Sequence, residues 1–423
     1  MKIILNTISV AVVLLCMATA TRAQQVVPMS YAEYMEKVTT GNIEYAAEKL
    51  NVNISEAEVV ASKVFNDPTL AVSYFNNSEW DMEMGYGTEI ELSKVFTFGK
   101  RKAGINLAKS EKELTQALLA DYFRNLRAYA TISYLEAVKQ YELHQVKQDS
   151  YTTIRQLAVS DSIRYAVGEI MEVDAIQTRL EAELLQNELL QSQTELYNAF
   201  AELNLLTGSS ALDTVFQPKA TLQMIPRDFM LSQLVSTALD NRSDLVAAMK
   251  NKEVASRALT LVRRERNTEI ELSLSANLNA RVDNEIAPAP SFTGYAAGIA
   301  IPLKFSNLNK GNVKAAKIRQ QQAEIQYQQV ELQIQTEVMQ SYHRYQSLAT
   351  QVKRYQESLL ADARKVIDGK LFSYSRGEVS LLEVLDAQRT YNDVQAQYIE
   401  TLFNHATALV ELERDAGIWD IEL

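Results

Sequence analysis

Ten residues from Ile270 alternate without a break. Ile270, Leu272, Leu274, Ala276 and Leu278 fall on one side, and Glu271, Ser273, Ser275, Asn277 and Asn279 on the other. A two-residue period is that of a β-strand with two chemically different faces. A following segment puts Tyr295, Ala297, Ile299, Ile301 and Leu303 on one face and Ala296, Gly298, Ala300, Pro302 and Lys304 on the other. The plan recurs more faintly upstream. Leu70, Val72 and Tyr74 alternate with Ala71, Ser73 and Phe75, and Tyr86, Thr88, Ile90 and Leu92 alternate with Gly87, Glu89, Glu91 and Ser93. Strict alternation over about ten residues suits a membrane-spanning barrel strand, apolar toward lipid and small or polar toward the lumen. Trp80, Tyr74, Tyr86, Phe292 and Tyr295 then fall near strand ends, where interfacial aromatics belong. The same alternation also serves a half-buried hairpin of a water-soluble protein. Four strands cannot close a barrel, and open edges are not tolerated in lipid. The chain must then share one: two copies would give about eight strands filled by their own side chains, three about twelve with room for a pore.

Between the strands the period changes to that of helices. No proline occurs from Thr69 to Gln217 or after Pro302, and no glycine from Ile105 to Val167 or from Asn312 to Asp368. These stretches are rich in strong helix formers, and the longest predicts a helix of about 100 Å. Each breaks near Gly168 or Gly377 and resumes as a second helix ending near Gly208 or Gly417, glycine being the usual residue just past a helix end. The second helices carry coiled-coil seams: Leu185, Leu189, Ser192, Leu196, Ala199, Leu203 and Leu206 in one, and Val394, Tyr398, Thr401, His405, Ala408 and Leu412 in the other. By helices alone, a soluble helical hairpin or rod fits equally well.

The chain is one unit written twice. Phe96, Tyr165, Gly168, Glu169 and Gly208 recur 209 positions later as Phe305, Tyr374, Gly377, Glu378 and Gly417. Glu44, Leu70 and Val72 match Asp244, Ile270 and Leu272 at an offset of 200, so the second copy has nine extra residues, assigned to the loop around Asn279–Thr293. The divisions read from this are a leader over 1–23, a first repeat over 24–208, an inter-repeat equatorial linker over 209–226 and a second repeat over 227–423.

The leader follows from Lys2, the apolar run Val10–Met17 and the small residues up to Ala23, the order of a secretory signal peptide. The run is shorter than the roughly 20 residues a membrane helix needs. Cleavage after Ala20 or Ala23 removes the one cysteine, Cys16, and with it any disulfide or thiolate metal site. Cleavage after Ala23 removes Lys2 and Arg22, taking 42 basic residues to 40 against 53 acidic ones and the net charge from −11 to −13. An acidic chain of this kind argues against nucleic-acid binding.

With these features the whole mature chain resembles the TolC family of outer-membrane efflux channels. The resemblance rests on the duplication, on the junction LSKVFTFGKR at Leu92–Arg101, and on the helical breaks YAVGEIMEVDAIQ and YSRGEVSLLEVLDAQ. The Asp67-Pro68-Thr69-Leu70 and Phe98-Gly99-Lys100-Arg101 segments look most like the CzcC/CusC-type branch, which often serves metal efflux. The resemblance implies a mainly helical fold with membrane strands: a homotrimer sharing a 12-stranded barrel and an α-helical tunnel. It implies a passive exit duct for metal cations or drugs, in contact with outer-membrane lipid. A periplasmic adaptor would connect it to an inner-membrane pump of the RND type. It further implies that Gly168 and Gly377 are the adaptor-docking tips, that Asp174 and Tyr374 belong to the periplasmic gate, and that Glu383 and Asp386 form an acidic ring at the entrance. Where the best-known channel of the family has a gate arginine, this chain has Val379.

Glu383 and Asp386 are three apart and can share a helix face, although carboxylates at a helix start also suit its dipole without further function. The sequence carries no phosphate loop, no nucleophile motif and no His-x-x-x-His pair, so no enzyme, cofactor or resident metal is expected. His144, His343 and His405 stand alone on helices, and Met82 and Met84 have no accompanying ligand cluster. A periplasmic coiled-coil adaptor or scaffold remains the alternative.

Overall fold

A computed structural model describes residues 25–77, 84–210, 214–303 and 309–421. The leader with Cys16, and Trp80, Met82, Lys304 and Phe305, lie outside the described residues. The element order repeats. β1 (Gln25–Met29), α1 (Tyr31–Gly41), α2 (Ile43–Ala61), β2 (Thr69–Asn76), β3 (Tyr86–Phe96), α3 (Lys100–Ala166) and α4 (Glu172–Leu206) form the first series. β4 (Thr214–Pro218), α5 (Leu231–Asn241), α6 (Ser243–Arg264), β5 (Ile270–Asn279), β6 (Phe292–Ala300), α7 (Lys310–Arg354), α8 (Leu360–Ser375) and α9 (Leu381–Ala416) form the second. α3 has 67 residues, about 100 Å of helix. Its counterpart contains a π-helical turn, Tyr355–Leu359, between α7 and α8. An extra residue in one turn leaves no mark on the spacing of glycine and proline, and the sequence reading missed it.

The chain divides into two compact units. One comprises Lys49–Ala120 and Ser243–Glu331 and holds an antiparallel sheet in the order β2-β3-β5-β6. Its register aligns the alternation of all four strands. Leu70, Leu92, Leu274 and Ala297 form one row across the sheet, and Val72, Ile90, Ala276 and Tyr295 the next. The other face carries Ser73, Glu89, Asn277 and Gly294 in one row and Ala71, Glu91, Ser275 and Ala296 in another. The apolar rows are uncovered: Val72 is 65% exposed, Leu274 64% and Tyr295 84%. β2 and β6 are the edges.

β5 spans the residues the alternation predicts, but β6 begins at Phe292 and ends at Ala300. Pro302 beyond it has no N–H to give a ladder. The register also divides the aromatic positions between the two faces. Phe292 pairs with Asn279 and Tyr295 with Ala276, so the two rings lie on opposite faces, Phe292 with the polar side chains. Tyr74 and Tyr86 do lie together, ring centroids 6.3 Å apart.

The second unit takes the chain up to Glu48, Asp121–Arg242 and the part from Leu332. Here β1 and β4 pair in parallel, and β4 falls inside the stretch read as a linker. The two copies fasten themselves at matching points. Asn42 donates to the Leu206 carbonyl at 3.0 Å, and Arg242 donates to the Asp415 carbonyl at 3.1 Å, the same position 209 residues on. Gly41 and Gly208 let two backbones meet, since a Cβ on Gly208 would collide with the Gly41 carbonyl. Asn204 accepts from the Phe216 amide of β4 at 3.2 Å. Its counterpart Glu413 accepts from Arg227 at 2.9 Å and from the Asp420 amide at 2.8 Å. The seams are buried in part: Ser192, Leu196, Leu203 and Leu206 of α4 and Thr401, His405, Ala408 and Leu412 of α9 are buried, while Leu185, Leu189, Ala199, Val394 and Tyr398 are half-buried.

Candidate functional site

α3 and α8 both end in the same way. Gly168 and Gly377 have φ of +82° and +75°. The Gly168 amide donates to the Tyr165 carbonyl at 2.9 Å and the Glu169 amide to Arg164 at 2.8 Å. In the second copy Gly377 donates to Tyr374 at 3.0 Å and Glu378 to Ser373 at 2.9 Å. These are paired Schellman caps, in which a left-handed residue satisfies the last carbonyls of the helix and glycine does so without a Cβ penalty. No atom lies within 4 Å of a Cβ built on either glycine, so each cap presents open space.

Just above the caps the four helices share a small core. Ile154 and Ala158 of α3, Ala182 of α4, Tyr374 of α8 and Leu381, Val384 and Leu385 of α9 are buried together. Tyr374 donates through Oη to Asp161 of α3, 3.2 Å from each carboxylate oxygen. Asp161 has no exposed side-chain surface. Burial pushes its carboxyl above the ordinary aspartate value, against the bonds from Tyr374 and Thr178 and the charge of Arg164. Burial and the Asp161 charge together push the Tyr374 phenol up to about 12. Arg164 stands over the pair, 3.7 Å from Asp161 Oδ1, 5.2 Å from the Tyr374 ring centroid and 3.4 Å from Glu169 Oε2. The cation beside this tyrosine therefore comes from α3. Val379 packs on the apolar core instead, and Arg376 pairs with Glu378 at 3.0 Å.

The acids read from the sequence separate into different settings. Asp174 is half-buried in the first turn of α4, and its charge bears on Asp161 and Tyr374. Glu383 and Asp386 are both exposed on α9. Glu383 closes a capping box with Ser380 and accepts from Lys370 Nζ at 2.6 Å. The Lys370 bond, then the Ser380 backbone bond, hold its carboxyl below the usual glutamate value. Asp386 has no ion pair with a described residue.

Sequence reasoning missed Asp161, Arg164, Thr178 and Lys370. One signal was available. At the 209-residue offset Asp161 matches Lys370 and Asp174 matches Glu383. One copy therefore places a lysine against an acid where the other places two acids. His144 Nδ1 lies 2.8 Å from Ser192 Oγ, the His343 ring packs edge-on against Tyr342, and His405 is buried 5.0 Å from the Tyr345 ring. His144 thus has a hydrogen-bond partner and His343 a ring neighbour, while both His405 nitrogens are buried without a partner among the described residues.

Residues 234–417 match the outer membrane efflux protein family. The chain is 24% identical over 393 residues to the cobalt-zinc-cadmium resistance protein CzcC of Cupriavidus metallidurans, covering 92% of this chain and 90% of that protein. Among solved structures, CusC superposes with a TM-score of 0.74 at 20% identity, covering 91% of each chain. The CmeC outer membrane channel of Campylobacter jejuni gives 0.76 at 15% identity, over 91% of this chain and 85% of that one. The open-state MtrE outer membrane channel of Neisseria gonorrhoeae gives 0.70 at 15% identity, over 91% and 88%.

Proposed function

We propose that this chain, which carries an outer membrane efflux protein domain over residues 234–417, is the outer-membrane exit duct of a tripartite efflux system. The observation that carries the reading is the four-stranded sheet. One face is apolar and uncovered, the other is polar, and both edges are open. Such a sheet is stable in lipid only when its edges pair with other copies, apolar face outward. Three copies supply the 12 strands of a water-filled pore, and the long helices continue it as a tunnel in the periplasm. A coiled-coil adaptor has no use for this sheet, which sets the adaptor reading aside.

Divalent metal cations are the proposed cargo, supported by the name of the Cupriavidus relative. An adaptor joining the caps at Gly168 and Gly377 to an RND-type inner-membrane pump completes the assembly. Tyr374 and Asp161, with Asp174 beside them, form the latch that holds the helix ends together, and Glu383 and Asp386 line the entrance. No step requires bond chemistry from the chain, so the duct is passive and no enzyme.

The test is assembly and conduction. Protein extracted from outer membranes is expected to run as a detergent-dependent trimer and to conduct ions in planar bilayers. Its deletion is expected to lower the tolerance of the host to zinc, cobalt or cadmium. A monomer that stays in solution without detergent overturns the duct; a conducting trimer whose loss leaves metal tolerance unchanged overturns the cargo alone.

A further inference from the structure

The chain as a whole carries a net charge of −11, yet Lys94, Lys100, Arg101 and Lys102 crowd the passage from β3 into α3. They do not all serve the fold. Lys100 pairs with Glu269 at 3.4 Å. The Arg101 guanidinium donates to the Lys63 carbonyl and lies 3.8 Å from the Phe65 ring centroid. Lys94 and Lys102 make no ion pair with a described residue. Lys94, Arg101 and Lys102 line a cleft of about 350 Å³ with Phe65, Phe96 and Gly99, and no carboxylate among the described residues lines it.

The position of this cleft gives it a ligand. Lys94 pairs in register with Leu272, which pairs with Ile299. The lysine therefore sits on the apolar face, one step beyond Leu92, at the end of the sheet where the helices begin. Phe65, Phe96 and Phe98 are 65%, 42% and 55% exposed there. On a lipid-facing surface a lysine is tolerable only where its ammonium reaches the headgroup layer, and exposed aromatic rings mark the same layer. The cleft is thus continuous with the lipid-facing rows, and its charge is opposite to that of an anionic headgroup.

We propose that this cleft binds the phosphate of an anionic glycerophospholipid in the leaflet at the helical end of the sheet. Lys94 and Lys102 approach the phosphate oxygens, Arg101 is fixed beside them by Lys63 and Phe65, and the exposed rings lie along the glycerol and upper acyl chains. The proposal rests on the membrane reading of the sheet.

The test uses the full-length assembled protein in detergent, titrated with phosphatidylglycerol or phosphatidylethanolamine of the same acyl chains and read by native mass spectrometry. Phosphatidylglycerol is expected to bind more tightly. Lys94→Gln and Lys102→Gln are each expected to weaken it about fivefold, and Lys94→Arg with Lys102→Arg to restore it. Lys353→Gln with Lys365→Gln, outside the cleft, is expected to leave it unchanged. Equal affinity for the two lipids, or a preference that survives the Lys94→Gln, Lys102→Gln double variant, overturns the site. Displacement of phosphatidylglycerol by millimolar inorganic phosphate points to a free-anion site and overturns the lipid assignment. The same spectra report the oligomer. Failed lipid binding on an intact trimer removes this site alone, and a monomer removes the duct.

Discussion

Tyr374 Oη stands 3.2 Å from both carboxylate oxygens of Asp161, whose side chain has no exposed surface. A phenol shared between two oxygens of a buried carboxylate ties α8 to α3 across the shared core. The other groups on the carboxylate are Thr178 and Arg164, and Arg164 approaches only to 3.7 Å. Tyr374→Phe keeps the ring and removes the donor. A hydrogen bond to a charged group contributes about 1.5–3 kcal/mol, so each copy is expected to lose a contact of that size. The expected outcome is a trimer of normal yield with a higher resting conductance in planar bilayers. Resting currents equal to those of the parent would take Tyr374 out of the gate.

His405 gives a pH dependence whose sign is fixed by its setting. It is fully buried beneath Tyr345, and neither ring nitrogen has a partner among the described residues. Arg227 and Glu413 lie around the same tyrosine, and their charges reach its phenol. Burial lowers the imidazole below its ordinary 6.5. The folded chain thus binds fewer protons than the unfolded one, and this contribution to stability is present above pH 6.5 and lost as pH falls toward the folded value. His405→Leu removes both the proton site and the unpaired nitrogens, each of which costs about 1–3 kcal/mol when buried. The variant is expected to melt higher than the parent at pH 5 and by a smaller margin at pH 8. An equal margin at both values would contradict the titration.

The strands make the membrane reading testable at single positions. Leu274 and Ser273 are neighbours on β5 that face opposite sides of the sheet. Leu274→Arg puts a cation among Leu70, Leu92 and Ala297. At mid-bilayer depth that costs about 2–4 kcal/mol per chain. Ser273→Arg points toward the polar face and is expected to assemble nearly as well as the parent. Equal yields of the two trimers in a membrane-assembly assay would count against a lipid-facing Leu274.

What the sequence disclosed and withheld divides along physical lines. The strand faces were legible because successive side chains of a strand point to opposite faces, and the apolar and polar residues of Ile270–Asn279 alternate without exception. The helix ends were legible because Gly168 and Gly377 occupy backbone conformations that other residues avoid. Asp161 was not legible. Nothing in its neighbours distinguishes a buried acid from a solvated one, since its partner Tyr374 lies 213 residues away. Arg164 was hidden for the same reason, because it lies on α3, far along the chain from Tyr374 and Val379. The face of each aromatic was not legible either, because a ring near a strand end can lie on either face, and only the pairing with Asn279 puts Phe292 with the polar side chains.

The caps allow docking to be separated from folding. A tryptophan at Gly168 or Gly377 strains a left-handed turn as well as filling space, so its effect would be ambiguous. Asn tolerates φ near +80° better than other non-glycine residues. It would project into the open space around each cap. Gly168→Asn with Gly377→Asn is expected to change stability by about 1 kcal/mol or less per cap and to leave the trimer intact. If a partner helix pair seats on the caps, metal tolerance is expected to fall to that of the deletion strain. Full tolerance with both substitutions in place would show that nothing docks there.

Glu383 and Asp386 lie one turn apart on α9, but their charges are not equivalent. Lys370 sits 2.6 Å from Glu383 and neutralises much of its field, while Ser380 takes its other oxygen into the capping box. Asp386 has neither partner. Repeated around a threefold axis, the uncompensated charge at the entrance would come chiefly from Asp386. A multivalent cation added from the periplasmic side of a planar bilayer is expected to block the parent channel. Asp386→Asn is expected to relieve the block more than Glu383→Gln, and Lys370→Gln to strengthen it by releasing the Glu383 charge. The last variant separates a ring of entrance charges from acids that only cap a helix. Capping acids would lose stability with Lys370→Gln and leave the block constant untouched, whereas an entrance ring would bind the blocker more tightly.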